Sequence, residues 1–206
     1  MRPLTPAVPR PLVRLLQYLA YTHGVGIGLY RRACRPSGVE WAALLKRRGR
    51  LRAIGDDCSV LTNVVITDPQ YVVLGNNVRL SGCTLFGHDG AANMINRAYG
   101  VEIDRVGKIV IGDHVFIGHQ AIVLPGTTIG TKVLIGAGAV VSGIVPDNSV
   151  MLGVPARRVG TLDDLARRWT AQAESCPWKH LDSDKPSTTP ELERLRALHF
   201  FGAGAT

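Results

Sequence analysis

The chain has 206 residues, enough for one main domain with flanking pieces, and 46% of them are hydrophobic, an ordinary share for a protein that buries a core. Its net charge of +8 is unevenly placed: residues 1–52 carry eleven Lys or Arg against one acid, Glu40, while residues 53–206 carry thirteen basic and fifteen acidic residues. There is no apolar run of about eighteen residues to span a membrane, no basic module interleaved with aromatics to bind nucleic acid, and no metal or disulfide spacing among Cys34, Cys58, Cys83 and Cys176, which read as reduced thiols of a cytoplasmic protein.

Residues 1–53 are predicted to form a basic, helical cap. Residues 1–9 hold three Pro and are expected to be loose. Leu12, Leu15, Leu16 and Leu19 recur at helical spacing and predict a helix to about His23, weakened beyond it by Gly24, Gly26 and Gly28. No small-residue cleavage site closes an apolar core, so the start does not read as a secretory signal. Ser37 and Glu40 form an S-x-x-E capping box, in which each side chain satisfies the other's backbone N–H. The helix it opens is predicted over Val39 to Arg48, with Trp41, Leu44 and Leu45 on its apolar side and Gly49 at its end. Such a helix would plug the open end of a stack of strands. The basic charge of this region fits a solvated surface, an oligomer contact, or peripheral attraction to an anionic membrane face.

From Ile54 to Val159 the chain repeats. Ile111, Ile117, Val123, Ile129, Ile135 and Val141 stand six residues apart, and Gly follows four of them: Gly112, Gly118, Gly130 and Gly136. Four residues past each aliphatic stands a small or β-branched residue: Val115, Ala121, Thr127, Val133, Ala139 and Val145. A period of six is neither helical nor that of a plain strand; it marks a solenoid of strands and tight corners. Aliphatic and small residue point inward together, as i and i+4 of a strand do. The glycine is expected to take positive φ and to let the next coil stack closely. Three hexads make one triangular coil. The repeat is weaker upstream: Ile54, Val60 and Ile66, a slip at Asp68-Pro69-Gln70, then Leu74, Leu80 with Thr84 at its small position, and Phe86-Gly87; Cys58 reads as core filler.

At His88 the pattern stops, and it returns only at Ile109. An insertion over 88–109 in a regular rod is expected to project from a corner and to carry function. After Val145 the stretch Gly153-Val154-Pro155-Ala156-Arg157-Arg158-Val159 is expected to leave the coil. Residues 160–206 are predicted to form a helical extension: a helix from an N-cap at Thr161 to about Glu174, a linker over 176–189, a final helix Glu191 to Phe201 after Pro190, and a frayed tail from Gly202.

The segment Phe86 to Val159 resembles the hexapeptide-repeat acyltransferases, in particular sugar and polysaccharide O-acetyltransferases. The matching pieces are Gly87-His88-Asp89-Gly90 before a loop, Ile111 to Gly118, Leu124 to Gly130, and Ile135 to Val141 closing on Gly153 to Ala156. The resemblance implies a mainly β fold, a left-handed parallel β-helix with N- and C-terminal helices. The spacing itself gives coils and not their hand, and the usual rule for parallel connections favours the right. The resemblance further implies an acetyl-CoA donor, a sugar or nucleotide-sugar acceptor, no metal, and a homotrimer with sites between subunits. His88 would be the general base, since an imidazole accepts a proton near neutral pH. Asp89 would orient His88 or bind sugar hydroxyls. The pantetheine arm would lie beside Gly118, Gly136 and Ala137, an oxyanion would be steadied by the N–H of Gly118, Gly136 or Gly138, and CoA phosphates would meet Arg157, Arg158 or Lys132. Asn93, Asn96, Arg97 and Tyr99 offer polar groups for sugar hydroxyls.

Four other readings stand beside this one. The acceptor could be the amine of a nucleotide-linked amino sugar, or a xenobiotic hydroxyl. The rod could be a non-catalytic trimeric scaffold. It also resembles the γ-type carbonic anhydrases, with Gly118-His119 similar to their Gly-His step and His88 and His114 as further imidazoles. Leu124, however, stands where that family has a second ligand histidine, and leucine cannot hold a metal.

Overall fold

A hexad offers one long β-branched side chain and one small one to the same side of the chain, so stacked hexads build a core from the inside of each coil. The computed structural model, which describes residues 9–179, 181 and 189–202, has this architecture. Strands β1 (Ala53–Ile54), β2 (Ser59–Val60) and β3 (Val65–Ile66) make the first coil. The second holds β4 (Val72–Leu74), β5 (Arg79–Leu80) and β6 (Thr84–Leu85); the third β7 (Ile109–Ile111), β8 (Val115–Ile117) and β9 (Ile122–Val123); the fourth β10 (Thr128–Ile129), β11 (Val133–Ile135) and β12 (Val140–Val141). A fifth begins with β13 (Ile144–Val145) and β14 (Ser149–Leu152), after which β15 (Arg157–Gly160) returns antiparallel along β14.

Strands of successive coils pair in parallel and form three sheets, in the orders β1-β4-β7-β10-β13, β2-β5-β8-β11-β14-β15 and β3-β6-β9-β12. The register stacks the aliphatics into columns: Ile54 with Leu74, Ile111, Ile129 and Val145; Val60 with Leu80, Ile117, Ile135 and Met151; Ile66 with Leu85, Val123 and Val141. From the second coil onward every member of these columns is buried, as are Cys58, Cys83, Ala121, Thr127 and Ala139 at the small positions.

Three details differ from the sequence reading. First, the glycine after each aliphatic does not take positive φ. That conformation falls two residues later, at His114, Gln120, Lys132 and Gly138, and equally at Asp57 and Asn77. The glycine is required by closeness instead: a Cβ on Gly118 would lie 2.5 Å from the Ala137 nitrogen, and one on Gly112 would lie 2.8 Å from the Gly130 oxygen. Second, the inward residues near the end of the second coil are Leu85 and Cys83, not Phe86 and Thr84. The corner Ser81-Gly82-Cys83 is one residue shorter than Leu61-Thr62-Asn63-Val64, and Gly82 closes it at φ +63°. Third, Val145 pairs with Ile129 and occupies an aliphatic position, not a small one, because the corner at Ser142-Gly143 lacks two residues present at Leu124–Thr127.

Of the stretch expected to leave the coil, Arg157 onward does so, turning back antiparallel as β15, whereas Gly153 to Ala156 stays on it. The Val140 N–H donates to the Gly153 carbonyl (3.1 Å) and the Ala156 N–H to the Val140 carbonyl (2.8 Å), so this stretch lies along the edge of the third sheet.

From Arg10 the N-terminal cap is mostly helical. Helix α1 (Arg10–Tyr18) continues through wide turns at Leu19–His23 and ends at Gly24, in the left-handed region. A further helical segment, absent from the sequence reading, runs from α2 (Ile27–Leu29) through wide turns at Tyr30–Cys34. Tyr30 is buried and meets the Tyr21 ring edge-on. Helix α3 (Gly38–Arg47) has the expected capping box, with Ser37 and Glu40 bonded reciprocally, and buries Trp41, Ala42 and Leu44. Gly38 packs closely on the first coil, and a Cβ there would lie 2.3 Å from Ser59 Oγ, so the serine hydroxyl would have to turn away. The insertion contains helix α4 (Ala91–Tyr99).

Residues 163–206 form a second compact unit. It holds α5 (Leu162–Glu174), whose first residue belongs to the preceding unit, and α6 (Pro190–Phe201), capped by the Thr189 hydroxyl. Trp178 meets the His199 ring edge-on at 5.2 Å. Of the expected linker, residues 180 and 182–188 lie outside the described residues, as do residues 1–8 and the tail beyond Gly202.

Candidate active site

The strands meet at three edges of the rod, and each edge holds one histidine of interest. Between the first and second sheets lies His114, whose Nδ1 is 3.0 Å from Asn77 Nδ2. Between the second and third lies His119, whose ring is seated over Gly82. Between the third and first lies His88, where the insertion departs. Among the described residues no three His, Cys, Asp or Glu side chains converge as a metal site would require.

The base of the insertion is pinned as a short antiparallel ladder. His88 bridges Val106, the Gly107 N–H donates to the Gly87 carbonyl (2.8 Å), and the Asp89 N–H donates to the Arg105 carbonyl (2.9 Å). Asp89 Oδ1 accepts the Ala91 N–H (3.0 Å) at the entrance to α4, and Gly100 ends that helix at φ +64°. His88 is therefore held by backbone on both sides while its ring stays half exposed.

That ring is oriented by Asp68, one coil earlier on the same edge. His88 Nδ1 lies 2.6 Å from Asp68 Oδ2. The same oxygen accepts the Thr67 hydroxyl at 2.7 Å, and Thr67 Oγ1 accepts the Gly87 N–H at 3.0 Å. The hydrogen bonds from Thr67 and then from His88 hold the Asp68 carboxyl below the usual carboxylate range. An ionised carboxylate only accepts, so the shared proton sits on Nδ1, and the neutral tautomer this bond favours carries its lone pair on Nε2. The Asp68 side chain is 17% exposed against 51% for His88, so the anchoring carboxylate is the more buried of the pair.

His88 opens on a cleft of about 350 Å³ lined by Thr67, Phe86, Asp89, Arg105, Leu124 and Ser142, among others. A histidine bonded to a carboxylate at the rim of a mixed apolar and polar cleft has the chemistry to take a proton from a group bound there.

The predicted residues are only partly brought together. His88 and Asp89 share the cleft, but Asp89 is engaged with the first turn of α4 and the orienting carboxylate is Asp68. Asn93 and Arg97 line a surface hollow with Met94, next to the cleft and sharing Gly90 with it. The Asn96 side-chain amide both donates to and accepts from the Ile103 backbone (3.0 and 2.9 Å) and so fastens the far end of the insertion. Tyr99, on the last turn of α4, is exposed.

Gly118 and Gly136 are buried, and their N–H groups donate to Ile135 and Met151 carbonyls at 2.8 and 2.9 Å; the Gly138 N–H donates to the His119 carbonyl at 2.9 Å. None of these three is free for an oxyanion, and the first two serve coil stacking. Ala137 is exposed at the same edge. Arg157 and Arg158 are exposed on β15, with Arg158 Nη2 donating to the Asn148 carbonyl (3.2 Å), and Lys132 is exposed at the edge shared by the first and second sheets. Within one chain these donor-side residues and His88 stand on different edges.

Sequence reasoning missed Asp68, Thr67 and Arg105. Asp68 was read only as a corner. It stands twenty residues before His88, one coil in this part of the rod but not the eighteen of three hexads, so spacing does not single it out.

Fold and site together define a parallel β-helix with a single projecting insertion and a carboxylate-anchored histidine at its root. Residues 108–143 match the profile described as bacterial transferase hexapeptide (six repeats). The chain thus carries the repeat of the bacterial hexapeptide transferases, and its rod has the left-handed parallel β-helix fold of the hexapeptide-repeat acetyltransferases. It is 39% identical over 114 residues to Protein CapG of Staphylococcus aureus, covering 53% of this chain and 66% of that protein. It is 32% identical over 116 residues to the putative lipopolysaccharide biosynthesis O-acetyl transferase WbbJ of Escherichia coli K12, covering 56% and 53% respectively. Among solved structures, the hexapeptide-repeat acetyltransferase VCA0836 of Vibrio cholerae superposes with a TM-score of 0.50 at 21% identity, covering 74% of this chain and 90% of that one, a likeness of fold. The chain thus spans between about half and two thirds of the length of these two curated relatives.

Proposed function

We propose that the protein is an acetyl-CoA-dependent acetyltransferase acting on a sugar hydroxyl, of the kind that decorates surface polysaccharides or glycans, with His88 as general base. The observation that carries this reading is the 2.6 Å bond between His88 Nδ1 and Asp68 Oδ2, which leaves Nε2 able to accept a proton beside the cleft. The similarity to an O-acetyl transferase named for lipopolysaccharide biosynthesis favours a sugar acceptor.

In this reading the acceptor hydroxyl gives its proton to His88 Nε2 as its oxygen attacks the thioester carbonyl. The tetrahedral intermediate collapses, the acetyl group passes to oxygen, and CoA leaves as a thiolate that regains the proton from His88. The imidazolium formed midway is steadied by the Asp68 carboxylate. Because the thioester is already activated, no covalent intermediate on the protein is required. Ala137 and the cations Lys132, Arg157 and Arg158 are surface groups suited to the donor, but they stand on edges away from His88. A complete site therefore calls for residues of a neighbouring copy, and we propose a homotrimer as the functional form.

The test is incubation with acetyl-CoA and a panel of sugars while free thiol is followed. Thiol release that depends on one class of sugar, and that His88→Ala abolishes, supports the proposal. Turnover undiminished in His88→Ala rejects His88 as base; a thermal shift with acetyl-CoA but no turnover on any sugar rejects the acceptor class.

A further inference from the structure

Helix α1 carries more apolar surface than the core takes up. Leu16 and Ala20 are buried, whereas Leu12, Leu15 and Tyr18, and then Val25 and Leu29 on the segment that follows, are between 44% and 60% exposed. At about 100° per residue, Leu12, Leu15, Tyr18 and Leu19 fall on one arc of α1 roughly 120° wide, adjoining the buried arc, while Arg10, Arg14 and Gln17 fall on the remaining side.

The charge beside this strip is of one sign. The only acid in residues 1–52, Glu40, is engaged by the Ser37 cap. Lys46 is paired with Asp56, and Arg47 and Arg48 donate to the carbonyls of Tyr21 and Thr22. Arg31, Arg32 and Arg35 instead line an open groove together with Leu29 and Val65. Arg10 and Arg14 are exposed on α1.

We infer that the N-terminal helices dock on the face of an anionic lipid bilayer, with the leucine strip of α1 entering the acyl boundary and the arginines meeting headgroup phosphates. An apolar strip flanked by uncompensated arginines matches that partner on both counts. A second copy matches it poorly, because like would meet like on this face and residues 53–206 carry a net charge of only −2. Nucleic acid would leave the leucines and valine in water. No helix among the described residues is long and apolar enough to cross a membrane, so the contact is in the plane of the surface. This inference does not depend on the acetyl-transfer reading.

The experiment is co-sedimentation of the full chain with vesicles of phosphatidylcholine alone and of phosphatidylcholine mixed with phosphatidylglycerol. The protein is expected to bind the mixed vesicles, to bind the neutral ones far less, and to be released by added salt. Leu12→Ser/Leu15→Ser should weaken binding about tenfold or more, since each leucine contributes by burial of apolar area, and should keep the wild-type melting temperature because both side chains are exposed. Arg31→Gln/Arg32→Gln should weaken it independently, without touching the strip. Equal binding to both vesicle types, no binding to either, or wild-type binding by the leucine variant overturns the proposal. So does a fall in oligomeric mass of the leucine variant with vesicle binding unchanged, which would give the face to a second copy.

Discussion

Asp68 and His88, twenty positions apart, are joined through a single 2.6 Å hydrogen bond across one coil of the rod. The bond fixes both the tautomer and the direction of the imidazole, and it rests on a deeper pair of contacts through Thr67 to the Gly87 backbone.

Asp68→Asn should separate positioning from binding. An amide in place of the carboxylate no longer demands a proton on Nδ1 and cannot stabilise an imidazolium. The expected result is a fall in kcat of roughly ten- to a hundredfold with KM little changed, as loss of an orienting partner produces. His88→Ala should cost more, about 10²- to 10⁴-fold, the usual worth of a general base. Steady-state kinetics on whichever acceptor the sugar panel identifies checks both; a raised KM with unchanged kcat for Asp68→Asn would assign the carboxylate to substrate binding instead.

The same carboxylate predicts a pH dependence of stability. Its folded pKa lies below the unfolded value, so folding favours the ionised form. The stabilisation is fully present above the ordinary carboxylate range, about pH 4, and disappears as pH falls through the lower folded value. Wild type should therefore melt above Asp68→Asn at neutral pH, and the gap should close as pH is lowered toward about 3. Melting curves of the two proteins at several pH values measure this; a gap that widens on acidification contradicts it.

Coil stacking predicts an asymmetry between two glycines. A Cβ at Gly118 would lie 2.5 Å from the Ala137 nitrogen, and backbone cannot yield as a side chain can. Gly118→Ala should destabilise the rod by about 1–3 kcal/mol. Gly90 has φ −63° and nothing within 4 Å of its Cβ position, so Gly90→Ala should stay within about 0.5 kcal/mol of wild type. Chemical denaturation of both variants decides the comparison.

Burial pushes the Cys83 thiol up to about 12, and the residue has no exposed surface. Since the thiolate is the reactive form, Cys83 should resist a thiol reagent near neutral pH until the coil opens. Cys34 and Cys176, half-buried, should label first. Mass mapping of labelled peptides with and without denaturant reads the order directly; early labelling of Cys83 would mean that the second coil opens locally.

The amino-acid order by itself determined the rod. A β-branched residue every sixth position can be buried on one side only if the chain turns in regular coils, and the columns through Ile111, Ile117 and Val123 were legible for that reason. It also determined where the rod is interrupted and that His88 stands there, and it located α3 through its capping box. The hand of the coil came from resemblance, not from spacing. What only the tertiary structure decided is which residues face one another between coils. Equivalent positions lie twenty residues apart at Ile54 and Leu74, eighteen at Ile111 and Ile129, and sixteen at Ile129 and Val145. Corners gain and lose residues without disturbing the inward columns, so the period cannot tell which carboxylate lies under His88. Asp89, adjacent in sequence, turns to the helix of the insertion, and Asp68 reaches the imidazole because stacking brings its corner beneath it.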